Sequence, residues 1–162
     1  MELFKEKFKD FYKWVKGTEL VELDDIDVEE DPVRPELTLG WRITKGRKIY
    51  GLKYGDEVEG IICVAFTNDI PHNVKELDMM SELADIKDEK NIAIAYTVWS
   101  RKRGAGREIM NKVIEYAKKN KIKRLVTLSP LTPMATHYHI RNGAKQISIN
   151  KETQNFEYEI KK

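Results

Sequence analysis

Two stretches of this chain combine residue types and spacings that could do chemistry. The first is Arg101-Lys102-Arg103-Gly104-Ala105-Gly106, which comes after the apolar run 92–99 and opens a helical pattern reaching about Lys119. Glycines let a backbone approach a ligand closely, and the unpaired amides of a first helical turn point at it. A basic strand-to-helix junction of this kind is an anion cradle. Such loops also occur as plain turns, so the weight falls on the residues C-terminal to it. The second stretch is Leu128-Ser129-Pro130 at the end of an apolar run, succeeded by His139 in the pattern H-x-x-N-G-A ending at Ala144. A hydroxyl and an imidazole supply hydrogen-bond donors and a group able to move protons near neutral pH. Singly, Ser129-Pro130 reads as a strand-ending turn and His139 as a helix surface residue. Together, behind the glycine loop, they read as a candidate site.

The elements that must position these residues emerge from periodicity. Phe4, Phe8, Phe11 and Val15 recur at helical spacing, predicting an amphipathic helix over 2–16 that Gly17 stops. The acidic stretch from Glu19 to Glu36, with Pro32 and Pro35, reads as an ordered loop with a short helix. From Leu37 the pattern turns to period two, giving candidate strands over 37–43, 48–54 and 58–66, with Gly55-Asp56 as a hairpin turn. Pro71 breaks the chain, and Val74, Leu77, Met80 and Leu83 suggest a helix or two short turns. Residues 91–99 form the next strand, with Ile92, Ile94, Tyr96 and Val98 on one face. A helix over 104–120 carries the stripe Ile109, Val113, Ile114 and Ala117. A strand over 123–128 and a short helix over 132–142, closed by Gly143, lead to a final hairpin of 146–150 and 156–160. Helices around a mixed sheet make an α+β sandwich, read as one domain over 1–162.

Composition narrows the function. The 162 residues carry 35% charged and 41% hydrophobic side chains and a net charge of +2, which does not make a nucleic-acid binder by bulk charge. The charge is uneven: ten Lys or Arg between Arg101 and Arg124 face only Glu108 and Glu115. The single cysteine, Cys63, sits in an apolar run and reads as a buried small hydrophobe. There is no apolar leader pattern, and the longest apolar runs are about six residues against roughly 20 for a membrane span, so a cytoplasmic protein is expected. No metal site is expected, because His137 and His139 point apart on a helix. His72 reads as a loop residue. Asp69, Glu82, Asp85 and Glu89 are undifferentiated candidates for a base, and Trp41 and Trp99 for core or cleft walls.

The R-x-x-G-x-G loop and the order of elements around it resemble the GNAT (N-acetyltransferase) superfamily. That resemblance implies a mixed, mainly antiparallel sheet flanked by helices and splayed between two central parallel strands, 91–99 and 123–128. It implies that acyl-CoA lies along the backbone of Tyr96, Val98 and Trp99. Its pyrophosphate would sit on the amides of Arg103, Gly104, Ala105 and Gly106, with Arg101 and Arg103 adding charge. Lys102 stands where many members have glycine. Many members protonate the leaving thiolate with a tyrosine four residues before a Gly-Phe or Gly-Ala pair. Here that count reaches His139, while Tyr138, turned by about 100° on the helix, should face elsewhere. His139 would then be the general acid, an imidazole near its ordinary pKa. Ser129 with His139, and the stretch Val64-Ala65-Phe66-Thr67-Asn68-Asp69-Ile70 with Asn73, are similar to the catalytic domain of malonyl-CoA decarboxylase, itself a GNAT-fold enzyme.

The resemblance implies transfer of an acetyl group from acetyl-CoA to a small-molecule or protein amine; separately, the charge of the acidic segment Asp24–Asp31, placed near the acceptor entrance, would favour a cationic amine. Alternatives are a malonyl-CoA decarboxylase-like enzyme forming acetyl-CoA, and a non-catalytic acyl-CoA-binding protein. Nucleic acid is the least favoured partner, and edge strands of the final hairpin would permit a homodimer.

Overall fold

Runs such as Ile49 to Tyr54 and Ile61 to Phe66 are apolar on both alternating faces, which suits strands covered on both sides rather than on one. The computed structural model, which describes residues 17–161, builds them into one sheet. Its strands are β1 (Glu19–Leu23), β2 (Lys48–Tyr54), β3 (Glu57–Thr67), β4 (Ile92–Ser100), β5 (Arg124–Thr127), β6 (Ser129–Pro130), β7 (Lys145–Ile149) and β8 (Thr153–Tyr158). The helices are α1 (Leu39–Ile43), α2 (Val74–Lys87), α3 (Ala105–Lys119) and α4 (Pro133–Arg141). The strand order is β1-β2-β3-β4-β5-β8-β6, with β7 beside β8. All pairs are antiparallel except β4 with β5, joined in register from Ile92↔Arg124 to Ala95↔Thr127. This is the expected mixed α+β sheet with a central parallel pair. The helix expected over 2–16 lies outside the described residues.

Each face of the sheet has its own core. On one, Ile62, Val64, Ala93 and Ala95 meet Ile109, Met110, Val113 and Ala117 of α3. On the other, Ile49, Ile61, Cys63 and Ile94 pack with Leu77 of α2. Local chemistry sets the helix starts: Asn73 accepts from the Glu76 amide at 2.8 Å, and Thr132 from the Ala135 amide at 3.2 Å.

Three expectations are corrected. Glu19–Leu23 is not loop but an antiparallel edge strand on β2; Glu19 and Glu22 are exposed, and Glu22 meets Lys48 at 2.9 Å. Residues 39–43 are helix, not strand, because Thr38 caps the Trp41 amide at 3.1 Å; the alternation of Leu37, Leu39, Trp41 and Ile43 only imitates period two. Val98 does not share a face with Ile92, Ile94 and Tyr96. The register of β4 on β3 shifts from Ala95↔Val64 to Thr97↔Cys63, so Tyr96 is an extra residue. Beyond this β-bulge the faces exchange, and Trp99, not Val98, continues the Tyr96 side.

The segment between β1 and α1 is pinned by one buried carboxylate. Asp31, 1% exposed, accepts from the amides of Val33 (2.8 Å) and Arg34 (3.0 Å) and from Thr97 Oγ1 (2.8 Å). It pairs with the fully buried Arg42 at 2.7 Å, and Arg42 also donates to the Arg34 carbonyl at 2.6 Å. Removing one member of such a pair strands the other charge. Asp31→Ala is expected to lower the unfolding free energy by about 3–5 kcal/mol in urea denaturation; a loss below about 1 kcal/mol would show that the pair is not what holds the segment.

Candidate active site

Pairing of β4 with β5 lasts four residue pairs and ends with the Leu128 amide donating to the Ala95 carbonyl at 3.0 Å. The chain then leaves β4, and Ser129 and Pro130 pair instead with Gln154 and Thr153 of β8. At the point of divergence stands Arg34, whose Nε donates to the Tyr96 carbonyl (2.9 Å) and whose Nη2 donates to the Leu128 carbonyl (3.0 Å). Beyond it the strands enclose a cavity of about 660 Å³. One wall is the β4 backbone from Ala95 to Ser100. The opposite wall is Ser129, Pro130 and the α4 residues Met134, Ala135, Tyr138 and His139, while Pro32 and Val33 close a side. None of the lining side chains is a carboxylate or an ammonium group.

Tyr96, Val98, Trp99, Gly106, Ser129 and His139, all expected at the site, therefore share one cavity. Tyr96 contributes backbone, since its ring is in the core, edge-on to Trp41 at 5.4 Å. Trp99 donates from Nε1 to Glu30 at 3.3 Å.

The glycine loop opens α3. Gly104 takes a left-handed conformation (φ 85°), which favours glycine. Gly106 is favoured for a different reason: a Cβ there would crowd the Tyr138 ring at 3.1 Å, so that ring would have to shift. The Ala105 amide donates to the Lys102 carbonyl at 3.1 Å, so it is not open to a ligand, and its methyl is core. Among the described residues no backbone carbonyl takes the Gly106 and Arg107 amides. Arg103 is exposed with no ion pair among those residues. Arg101 departs from expectation: it forks onto Glu30 (2.5 and 2.8 Å) and donates to the Val58 carbonyl at 3.3 Å, which ties its guanidinium to the opposite flank. That hydrogen bond holds the Glu30 carboxyl below its usual range. Lys102 turns outward to Glu57 (2.9 Å) and Glu59 (3.4 Å).

On the opposite wall Ser129 is buried, its Oγ 2.8 Å from Thr127 Oγ1, which accepts from the Phe156 amide. His139 is 5% exposed, lies against Phe156 and places Nδ1 2.7 Å from Tyr158 Oη. Two expectations about α4 are corrected. Tyr138 does not face elsewhere: it lines the same cavity and donates to the Gly106 carbonyl at 2.6 Å, because the cavity wraps an arc of α4 wider than one residue step. Nor does His139 keep its ordinary pKa: desolvation pushes it down to about 4, so at neutral pH its imidazole is uncharged. His137 lines a separate depression with Leu131, Pro133, Thr136 and Ile140, away from His139.

Arg34, Tyr138 and Tyr158 carry no motif. Arg34 sits between two prolines in a stretch that reads as acidic loop, and Tyr158 is one apolar position of the last strand. The only available signal was local, a lone arginine among acids. Among the described residues no three His, Cys, Asp or Glu side chains could hold a metal ion, and no helix is long and apolar enough to cross a membrane.

The depressed pKa has a stability consequence. An unfolded chain binds a proton at His139 near pH 6.5 and the folded chain only near 4, so the folded state is favoured fully above 6.5 and loses that advantage as pH falls. The loss should total about 3 kcal/mol by pH 4. Urea midpoints for the wild type and His139→Asn at pH 7 and pH 4.5 check this; equal acid slopes in the two proteins contradict it.

Comparison with known proteins places these features. The model of the acetyltransferase (GNAT) family matches residues 8–143. No curated protein matches the sequence. Among solved structures the chain is similar to malonyl-CoA decarboxylase from Agrobacterium vitis, with 20% identity and a TM-score of 0.58 over 78% of this chain. It spans 36% of that enzyme's length. It is also similar to a probable acetyltransferase from Staphylococcus epidermidis, at 15% identity and TM-score 0.59, covering 87% of this chain and 98% of the other. A Bacillus subtilis acetyltransferase in complex with CoA matches at 10% identity and TM-score 0.58, covering 86% and 95%. Such identities show a shared fold. With the family matched over most of its length and the sheet parted between β4 and β5, the chain belongs to the GNAT acetyltransferase family.

Proposed function

We propose that the protein is an acyl-CoA-dependent N-acetyltransferase that moves an acetyl group from acetyl-CoA to an amine. The observation that carries this reading is the unpaired edge of β4: it runs from the bulge at Tyr96 to the free first-turn amides of α3, with Ser129 and His139 on the facing wall. Backbone beyond the Tyr96 carbonyl, which Arg34 already takes, on to Ser100 would hold the pantetheine arm as an added strand would be held. The Gly106 and Arg107 amides, with Arg103 beside them, would hold the pyrophosphate. The thioester would then lie between the bulge and α4, where Ser129 orients it and His139 meets the negative charge that gathers on its oxygen. Tyr138, kept protonated by burial, donates to the Gly106 carbonyl and so would stand toward the pyrophosphate end.

The acidic segment would draw the acceptor. Glu30 and Asp31 are held by Arg101 and Arg42, so Asp24, Asp25, Asp27 and Glu29 are the exposed carboxylates available, on the turn that leads into the Pro32–Val33 wall. Replacing these four by Asn or Gln should raise acceptor KM and leave CoA affinity unchanged; an unchanged KM removes this role.

One observation favours a second reading, malonyl-CoA decarboxylation. No carboxylate lines the cavity, so a base for an ammonium acceptor is not at hand. Losing carbon dioxide from a malonyl thioester needs no base, only donors for the enolate oxygen and a proton for its carbon. Mass spectrometry of acetyl-CoA with an amine panel, and of malonyl-CoA alone, separates the two. Enzyme-dependent N-acetylation with malonyl-CoA intact supports the transferase; conversion of malonyl-CoA to acetyl-CoA overturns it. In either case Ser129→Ala and His139→Asn should lower kcat about 10²–10³-fold with acyl-CoA binding retained. Full turnover in both variants would leave only the binding role.

A further inference from the structure

His139 has one ring nitrogen engaged inside the protein and one open. Nδ1 lies 2.7 Å from Tyr158 Oη, and both residues are buried, at 5% and 2% exposure. The ring is fixed on three sides: Phe156 stacks at 5.1 Å and 29°, while Tyr138 and Tyr158 stand edge-on at 4.9 and 5.8 Å. Nε2 has no protein partner among the described residues, is not enclosed, and belongs to a ring that lines the cavity. Which nitrogen bears the proton decides what His139 can do there, since a neutral imidazole offers either an N–H or a lone pair on its open side.

The burial of Tyr158 argues for one direction of this hydrogen bond. Burial keeps the Tyr158 phenol protonated, and its hydroxyl has no partner among the described residues other than His139. A buried O–H needs an acceptor, and Nδ1 is the one in reach. If Nδ1 carried the proton and donated to Oη, the phenol proton would be left unpaired in an enclosed site, the more costly arrangement. We propose that Tyr158 is a positioning residue: by donating to Nδ1 it holds His139 in the Nε2–H tautomer, so that the cavity is offered a neutral hydrogen-bond donor and not a base.

This changes the role of His139 within the reaction. It takes no proton from an amine, having no free lone pair on the cavity side. Its Nε2–H bonds to the thioester oxygen as negative charge gathers there and stays on the ring throughout, so no covalent bond of the imidazole is made or broken. The same donor would meet the enolate oxygen in decarboxylation, so the assignment does not depend on which reaction is run. It rests on acyl-CoA occupying this cavity only for its catalytic consequence, because the tautomer is a property of the free protein.

Nitrogen-15 NMR of the histidine-labelled wild-type protein tests the tautomer without any variant; His139 is identified among the three histidines by the signal lost in His139→Asn. The expected spectrum at pH 7 shows Nε2 protonated and Nδ1 bare. A protonated Nδ1, alone or together with Nε2, overturns the proposal. In Tyr158→Phe, which keeps the ring and removes the donor, the nitrogen shifts should move toward a mixture of tautomers. kcat should fall about 10–100-fold while KM for acyl-CoA is unchanged. A variant that keeps both the wild-type shifts and kcat overturns the positioning role. Calorimetry with CoA tells the two readings apart: absence of binding beside the expected Nε2–H spectrum overturns the acyl-CoA reading and leaves the tautomer supported.

Discussion

Arg34 stands where the next rung of the parallel ladder would be. Two strands that part leave carbonyls facing each other across a gap, and buried carbonyls need donors. The guanidinium spans that gap from Tyr96 to Leu128, satisfying both while keeping β5 from closing further onto β4. Its planar fork suits the task in a way a lysine would not match. The position of Arg34 is in turn set by Asp31, which folds the segment 31–34 into the protein against Thr97 and Arg42. A single carboxylate thus fixes an arginine, and the arginine fixes where the sheet opens.

The cavity is a consequence of that opening. Because β4 carries an extra residue at Tyr96, its two faces exchange just where pairing with β5 stops, sending Trp99 to the α2 side and Val98 to the α3 side. Free backbone is thereby presented over a short stretch that ends at the α3 N-terminus. The opposing wall is built differently, by β6 turning away to join β8 and by α4 lying across the end. Tyr138 ties α4 to the first turn of α3 through the Gly106 carbonyl, so the groups that would meet the two ends of a cofactor are held in one frame. The lining is mainly apolar, its few polar groups being hydroxyls, an imidazole and amides, with formal charge kept behind it in Arg34, or on the rim.

How much of this was legible in the sequence differs by element. β2 to β5 stand out as apolar runs because both faces of the central sheet are buried, and α3 shows a clean stripe because one of its faces is buried. The edge strand Glu19–Leu23 hides since its outward residues are acidic, and Leu37–Ile43 misleads since a threonine cap outweighs an accidental alternation. A bulge cannot be seen by counting periods, so Val98 falls on the wrong face. The site was legible as motif residues, Gly104, Gly106, Ser129 and His139, which have spacing to betray them. Arg34 and Tyr158 act through contacts 62 and 19 residues away along the chain, and beyond one arginine standing among acids no local pattern announces them. The uncharged state of His139 depends on burial by Phe156 and two tyrosines, which only the folded chain assembles.

The central claim is that the gap held open by Arg34 is where acyl-CoA lies. Amide hydrogen exchange with and without CoA addresses it directly. The account predicts slowed exchange in 96–100 of β4 and at Gly106 and Arg107, with the β2–β3 hairpin unaffected. Bound CoA that leaves those amides exchanging at their free rates would contradict it.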